Sequence, residues 1–200
     1  MKNNIGILKS TLFLLVIFSA LAVVLVAFTL TSCGNNSKQE DSKVVAEQHN
    51  DAKFDNAKES DADFLVAAAA INLEEIQLGE LAQRKGTMAE VKQLGKMMET
   101  EHSKVLKDEQ ALASKKQITI PGMLTDNGKD AYKKLMDKTG KDFDKAYCDM
   151  MVDGHKNAIT KFEKASADAT DPDIKTWAAS VLPGLRAHLD HAITCQAKSK

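Results

Sequence analysis

Aromatic residues are scarce in this chain, with one Trp and two Tyr in 200 residues. Beyond the amino-terminal segment, runs of β-branched residues are nearly absent as well. Strands draw on those residue types, so a strand-built domain is excluded. Neither sign of charge dominates: 27 basic and 28 acidic residues leave a net charge of -1, and no basic patch stands out. The chain therefore sets up no field for nucleic acid or for an acidic surface. It also has no Gly-x-Ser-x-Gly, no phosphate-binding glycine loop and no Cys-x-x-Cys, which leaves hydrolase chemistry without a constellation. The three prolines mark boundaries or a kink.

What is present begins with an address. Lys2 and Lys9 precede an uncharged apolar run from Leu12 to Leu30, and Leu30-Thr31-Ser32-Cys33 follows. A small-residue tripeptide ending on Cys directly after such a run resembles a lipobox, so residues 1–33 read as a lipoprotein signal with Cys33 as lipid acceptor. The competing reading is an uncleaved amino-terminal anchor. Residues 34–60 are rich in Asn, Ser, Lys, Asp, Glu and Gln, without a sustained apolar period. They read as a disordered tether that sets distance from the membrane. Residues 61–197 are left for one folded domain, rich in Ala, Leu, Met, Lys and Glu, the composition of helices.

Four long helical patterns fill that domain. The first runs from about Ser60 to Lys85, with Ser60 or Asp61 as its cap, and Gly86-Thr87 breaks it. The second carries Met88, Val91, Met98, Val105 and Leu112. Pro121-Gly122 and Gly140 bracket a short amphipathic piece from Asp126. The third long helix spans about Lys141 to Asp168; Asp171-Pro172 caps the fourth, in which Pro183 predicts a kink. Two tight hairpins joined by a long connection predict an all-α, ferritin-like four-helix bundle with a short extra helix between the second and third helices.

Residues level with each other across an antiparallel hairpin share a nearly constant index sum. By that test Cys148 and Cys195 are level, and an even pair outside the cytoplasm predicts a disulfide, with two buried thiols as the alternative. His155 and His188 are level too, one heptad nearer the middle. His102 sits on the stripe of the second helix, and Glu75 interrupts that of the first somewhat nearer its turn. Ionisable groups on core stripes must satisfy one another, bind water or hold an ion. Glu99 and His102 form a Glu-x-x-His spacing, while Met98 and Met151 each stand one turn before a histidine. Thioether with imidazole suits copper, above all Cu(I), better than magnesium or calcium, and copper is favoured over iron because the stripes carry too few carboxylates for a dinuclear oxidase. The alternative is gap-filling methionine with a hydrogen-bonded histidine layer. His49 and His191 read as solvated.

Asp63-Phe64-Leu65, Glu75, Leu78-Gly79, Met98 to His102, Phe143 to Tyr147, His155 and Leu182-Pro183-Gly184-Leu185-Arg186-Ala187-His188-Leu189 together resemble the bacterial domain-of-unknown-function 4142 family, over roughly Asp61 to Ala197. The resemblance implies a ferritin-like exported bundle and brings no activity. Met150 to Ile159 also looks like part of a related group of periplasmic helical proteins linked to copper, whose paired histidines are replaced here by Gly154-His155. The expectation is a non-enzymatic envelope protein, anchored by lipid at the outer membrane or the periplasmic face of the inner membrane. Its candidate metal ligands are His102, His155, His188, Met98, Met151, Glu75 and Glu99, with copper favoured. A structural or protein-interaction module of the envelope is the alternative, and the protein partner is unknown.

Overall fold

The structure, a computed structural model, describes residues 40–200, so the signal, Cys33 and the first part of the tether lie outside it. The described residues form six helices and no strand: α1 (Ser42–Asp51), α2 (Asn56–Lys85), α3 (Ala89–Lys116), α4 (Asp126–Met136), α5 (Gly140–Asp168) and α6 (Pro172–Lys198). None of them is long and apolar enough to cross a membrane.

Part of the segment 34–60, expected as a disordered tether, is instead ordered: α2 begins at Asn56, and α1 is helical and docked. Asp41 caps it, accepting from the Lys43 N–H, and Ala46 is buried. The side chain of Asn50 donates to the carbonyl of Thr119 at 2.8 Å and accepts from its N–H at 2.9 Å. Ser42 Oγ donates to the Met123 carbonyl. These are polar contacts to a distant loop backbone, and no apolar period announces them.

The four long helices pack as two antiparallel hairpins, α2–α3 and α5–α6, into a helical bundle. Asp61 meets Thr170 and Glu75 meets His155, so α2 and α5 run antiparallel. Glu90 pairs with Lys198 and Lys115 with Asp173, so α3 and α6 do the same. In consequence α3 and α5 point the same way, and the connection containing α4 returns the chain along the length of the bundle. Helix α4 lies against α2 and α5. Pro183 sits inside α6 without ending it.

Two buried aspartates fix the register reciprocally. Asp144, on α5, accepts from the backbone N–H groups of Thr87 (2.9 Å) and Met88 (3.0 Å) and from the Thr87 hydroxyl, satisfying orphan donors where α3 begins. Asp61, on α2, accepts from the N–H groups of Thr170 (3.1 Å) and Asp171 (2.7 Å) and from the Thr170 hydroxyl (2.7 Å). Each hairpin turn is thus held by a carboxylate of the other hairpin. Asp61 is not the cap of α2; Asp55 takes that part by accepting from the Lys58 N–H.

Within the first hairpin the helices touch through backbone. A Cβ on Gly79 would stand 2.5 Å from the Gly95 carbonyl oxygen, and one on Gly95 2.6 Å from that of Gly79. Within the second hairpin, Cys148 and Cys195 are disulfide-bonded, with Cα atoms 5.8 Å apart, as their level positions predict.

Replacing Asp61 by Ala is expected to lower stability by about 2 to 4 kcal/mol, because three charge-assisted bonds are lost and the α5–α6 turn keeps unsatisfied donors. Urea unfolding of the folded, oxidised protein measures it. Reduction of the disulfide, which closes a 47-residue separation, is expected to remove about 4 kcal/mol by the chain-entropy relation.

Candidate metal centre

The bundle core is divided by a polar layer. On one side lies an apolar cluster with Leu78, Met98, Tyr147, Met151 and the disulfide; on the other, Ala158, Phe162, Ala178 and Leu185 pack with Phe64 and Trp177. Between them stand Asn72, Glu75, His102, His155 and His188, all buried.

The three imidazoles come from α3, α5 and α6 and face one another, with ring centroids 5.1 to 5.5 Å apart. One nitrogen from each converges so that all three lie within 4.8 Å of one another, and no other group of three His, Cys, Asp or Glu among the described residues does so. The remaining nitrogens decide the tautomers. His102 Nδ1 is 2.8 Å from Asn72 Oδ1, and the Asn72 amide nitrogen donates to Glu109 Oε2 at 2.8 Å, so Oδ1 is the acceptor and Nδ1–H donates. His155 Nδ1 is 2.8 Å from the Met151 carbonyl, which can only accept. His188 Nε2 donates to Glu101 Oε2 at 2.8 Å. A neutral imidazole has one N–H. The second nitrogens, His102 Nε2, His155 Nε2 and His188 Nδ1, therefore carry lone pairs, and these buried atoms have no hydrogen-bond partner among the described residues.

Burial keeps the rings of His102 and His155 neutral. Desolvation drives His102 well below the ordinary histidine range, with His155 and His188 adding to the effect. His155 is lowered to about 4 by desolvation, opposed by its bond to Met151 and assisted by His188. Desolvation lifts Glu75 to about 8, with Glu74 adding to it, and lifts Glu109 to about 8 against its bond from Asn72. Glu75 Oε1 lies 3.8 Å from His155 Nδ1, yet a raised acid beside a lowered base is a neutral pair, not an ion pair. Gly154 makes room for it: a Cβ there would stand 3.1 Å from Glu75 Oε1. Tyr147, its hydroxyl buried without a partner, is raised well above the usual phenol range by burial and by Glu75.

Of the residues singled out from the sequence, His102, His155 and His188 are brought together and Glu75 lies beside them. Glu99 is not in the group; its half-buried carboxylate accepts from Gln83 Nε2 at 2.6 Å. Met98 and Met151 belong to the adjoining apolar cluster, Met151 supporting His155 through its backbone. Asn72, Glu101 and Glu109 were missed. Asn72 interrupts the α2 stripe as visibly as Glu75 does, whereas Glu101 is exposed and gives no pattern signal.

The family profile of a domain of unknown function, DUF4142, matches residues 45–194. The chain belongs to the DUF4142 family. No curated protein and no solved structure matches it. In this DUF4142 chain the matched span takes in most of α1 and the whole histidine layer. The likeness read from Asp61 to Ala197 therefore extends further toward the amino terminus.

The pH dependence of the metal-free protein follows from these shifts. Glu75 and Glu109 are raised in the folded state, so their neutral forms favour folding at pH 4.5 and below, and that contribution is lost as pH rises toward about 8. His102 and His155 are lowered, so theirs is present above pH 6.5 and lost as pH falls, for His155 as it approaches about 4. Glu109→Gln, whose amide oxygen still accepts from Asn72, is expected to raise stability at pH 8.5 relative to pH 5.5 by about 2 to 4 kcal/mol. Paired urea titrations of the two proteins at both pH values check this.

Proposed function

We propose that this chain is an envelope lipoprotein whose ferritin-like four-helix bundle holds one transition-metal ion on His102, His155 and His188, with copper favoured. The observation that carries the reading is the convergence of three buried, unpartnered imidazole nitrogens whose ring partners donate outward. Metal-ligating histidines characteristically donate their second N–H to a carboxylate, carbonyl or similar acceptor, which fixes tautomer and orientation. Here the acceptors are an amide, a backbone carbonyl and a carboxylate. A layer serving packing alone would close its hydrogen bonds on itself, because each buried unsatisfied group costs about 1 to 3 kcal/mol. This one leaves its ring lone pairs open toward a common centre.

Copper is favoured on charge and on donor type. With His102 and His155 neutral and Glu75 raised to about 8, a monovalent ion brings less uncompensated charge into the core than a divalent one. Imidazole accepts copper and zinc alike, and the thioether-bearing layer of Met98 and Met151 adjoins the triad. A dinuclear oxygen-activating centre wants bridging carboxylates, and Glu99, the candidate for that part, is turned to Gln83. The direction of the helices, with α3 and α5 alike and a long crossover between them, supports the ferritin-like assignment.

The metal reading is tested by mass spectrometry of the full-length protein after Cu(I) challenge and dialysis. About one copper per chain is expected, falling to background in His155→Ala and His188→Ala; native protein at background refutes the site. The anchor is tested separately. Incorporation of radiolabelled palmitate is expected in cells expressing the native chain and should vanish in Cys33→Ser, while label that persists there removes Cys33 as the acceptor.

A further inference from the structure

We infer that the metal ion reaches and leaves the triad through the seam between α3 and α6, where Met97 and His191 act as transient surface donors and Glu101 is the positioning residue that holds His188 shut. This rests on the metal-site reading above and adds the route and its residues.

The supports of the three imidazoles are unequal. Asn72 and Met151 are buried. Glu101, which holds His188, has a side chain 47% exposed, against 4% for His188 itself. The triad is therefore one hydrogen bond from solvent at this point. Exposed carboxylate side chains change rotamer in picoseconds to nanoseconds, so the bond at His188 Nε2 opens and closes far faster than a bundle breathes.

The same seam carries donors just outside that bond. A groove of about 150 Å³ between α3 and α6 is lined by Met97, His191 and Glu90, with Cys195 at its wall. Met97 lies one turn before Glu101 on α3, and His191 one turn after His188 on α6. Because the two helices run antiparallel, Met97 and His191 are level with each other, about 5 Å along the axis from the Glu101–His188 pair. Thioether and imidazole at a surface are the donors that take up Cu(I). His191, solvated on the sequence reading, thus serves as a step on the way and not as a resident ligand.

The other seams are tied by contacts of their own. Between α2 and α3 the Asn72–His102 hydrogen bond crosses the layer itself, and the backbones touch at Gly79 and Gly95 two turns away. Between α2 and α5 the Glu75 carboxyl fills the space that Gly154 leaves. Between α5 and α6 the disulfide ties the helices together two turns away.

Donors on a route lower the barrier in both directions and leave the equilibrium alone. Full-length protein is loaded from a chromogenic Cu(I)–bicinchoninate complex, and uptake, release to excess chelator and affinity are measured for each variant. The Met97→Leu/His191→Ala double variant is expected to slow uptake and release together by about tenfold, with Kd unchanged. Glu101→Ala is expected to speed release and weaken affinity by about 10- to 100-fold, and Glu101→Gln, whose amide oxygen still accepts, to restore most of both. Native exchange rates in the double variant overturn the route, and so does an affinity loss that matches slowed uptake alone or hastened release, which would mark resident ligands. Native protein that takes up no copper refutes the metal site itself, whereas His155-dependent binding with unaltered exchange in the double variant refutes the route alone.

Discussion

A neutral imidazole has one proton to give, and in this core three of them give it outward. That constraint organises the rest of the molecule. Protonating a second nitrogen would place a charge in a layer sealed from water, so His102 and His155 stay neutral, and the unpartnered nitrogens of the three rings point at one another. Such an arrangement holds only if each ring is gripped from behind. The grips come from three directions: an amide of α2, a carbonyl of α5 itself and a carboxylate of α3. All four long helices must therefore keep register to within a fraction of a turn.

The register is kept by groups far from the layer. Asp61 and Asp144 stand near the amino-terminal ends of α2 and α5 and each binds the opposite hairpin's turn, so the antiparallel α2–α5 pair is pinned at both ends with the histidines between. The Gly79–Gly95 contact and the disulfide then set how closely the partners within each hairpin approach. Behind His102 the chain of support continues to Glu109, an acid lifted to about 8 and kept neutral by its burial.

Much of this was legible in the residues. Helix boundaries, the level placement of Cys148 with Cys195 and of His155 with His188, and the mid-bundle height of His102 all follow from periodicity and the antiparallel index rule. The Glu-x-x-His spacing misled, because a spacing specifies a helix face loosely: Glu99 lies toward the α2 seam, where Gln83 receives it. Helix α1 was hidden because Asn50, a polar side chain, does its docking against the backbone of Thr119. Asp61 reads locally as a cap, and no local rule reveals a carboxylate whose partners are more than a hundred positions away. Glu101 was invisible for the opposite reason, being a solvent-facing acid on a helix with many such residues.

The three histidines are distributed over both hairpins and lie far apart along the chain. An unfolded molecule therefore offers only isolated imidazoles on separate segments, and the α5–α6 hairpin by itself brings together only two, His155 and His188. Neither hairpin alone holds the three, and the lone pairs meet only after the long crossover has brought α3 and α6 side by side. The triad is thus complete only in the assembled bundle, and an ion held on it, as proposed, would mark a chain whose two hairpins have docked.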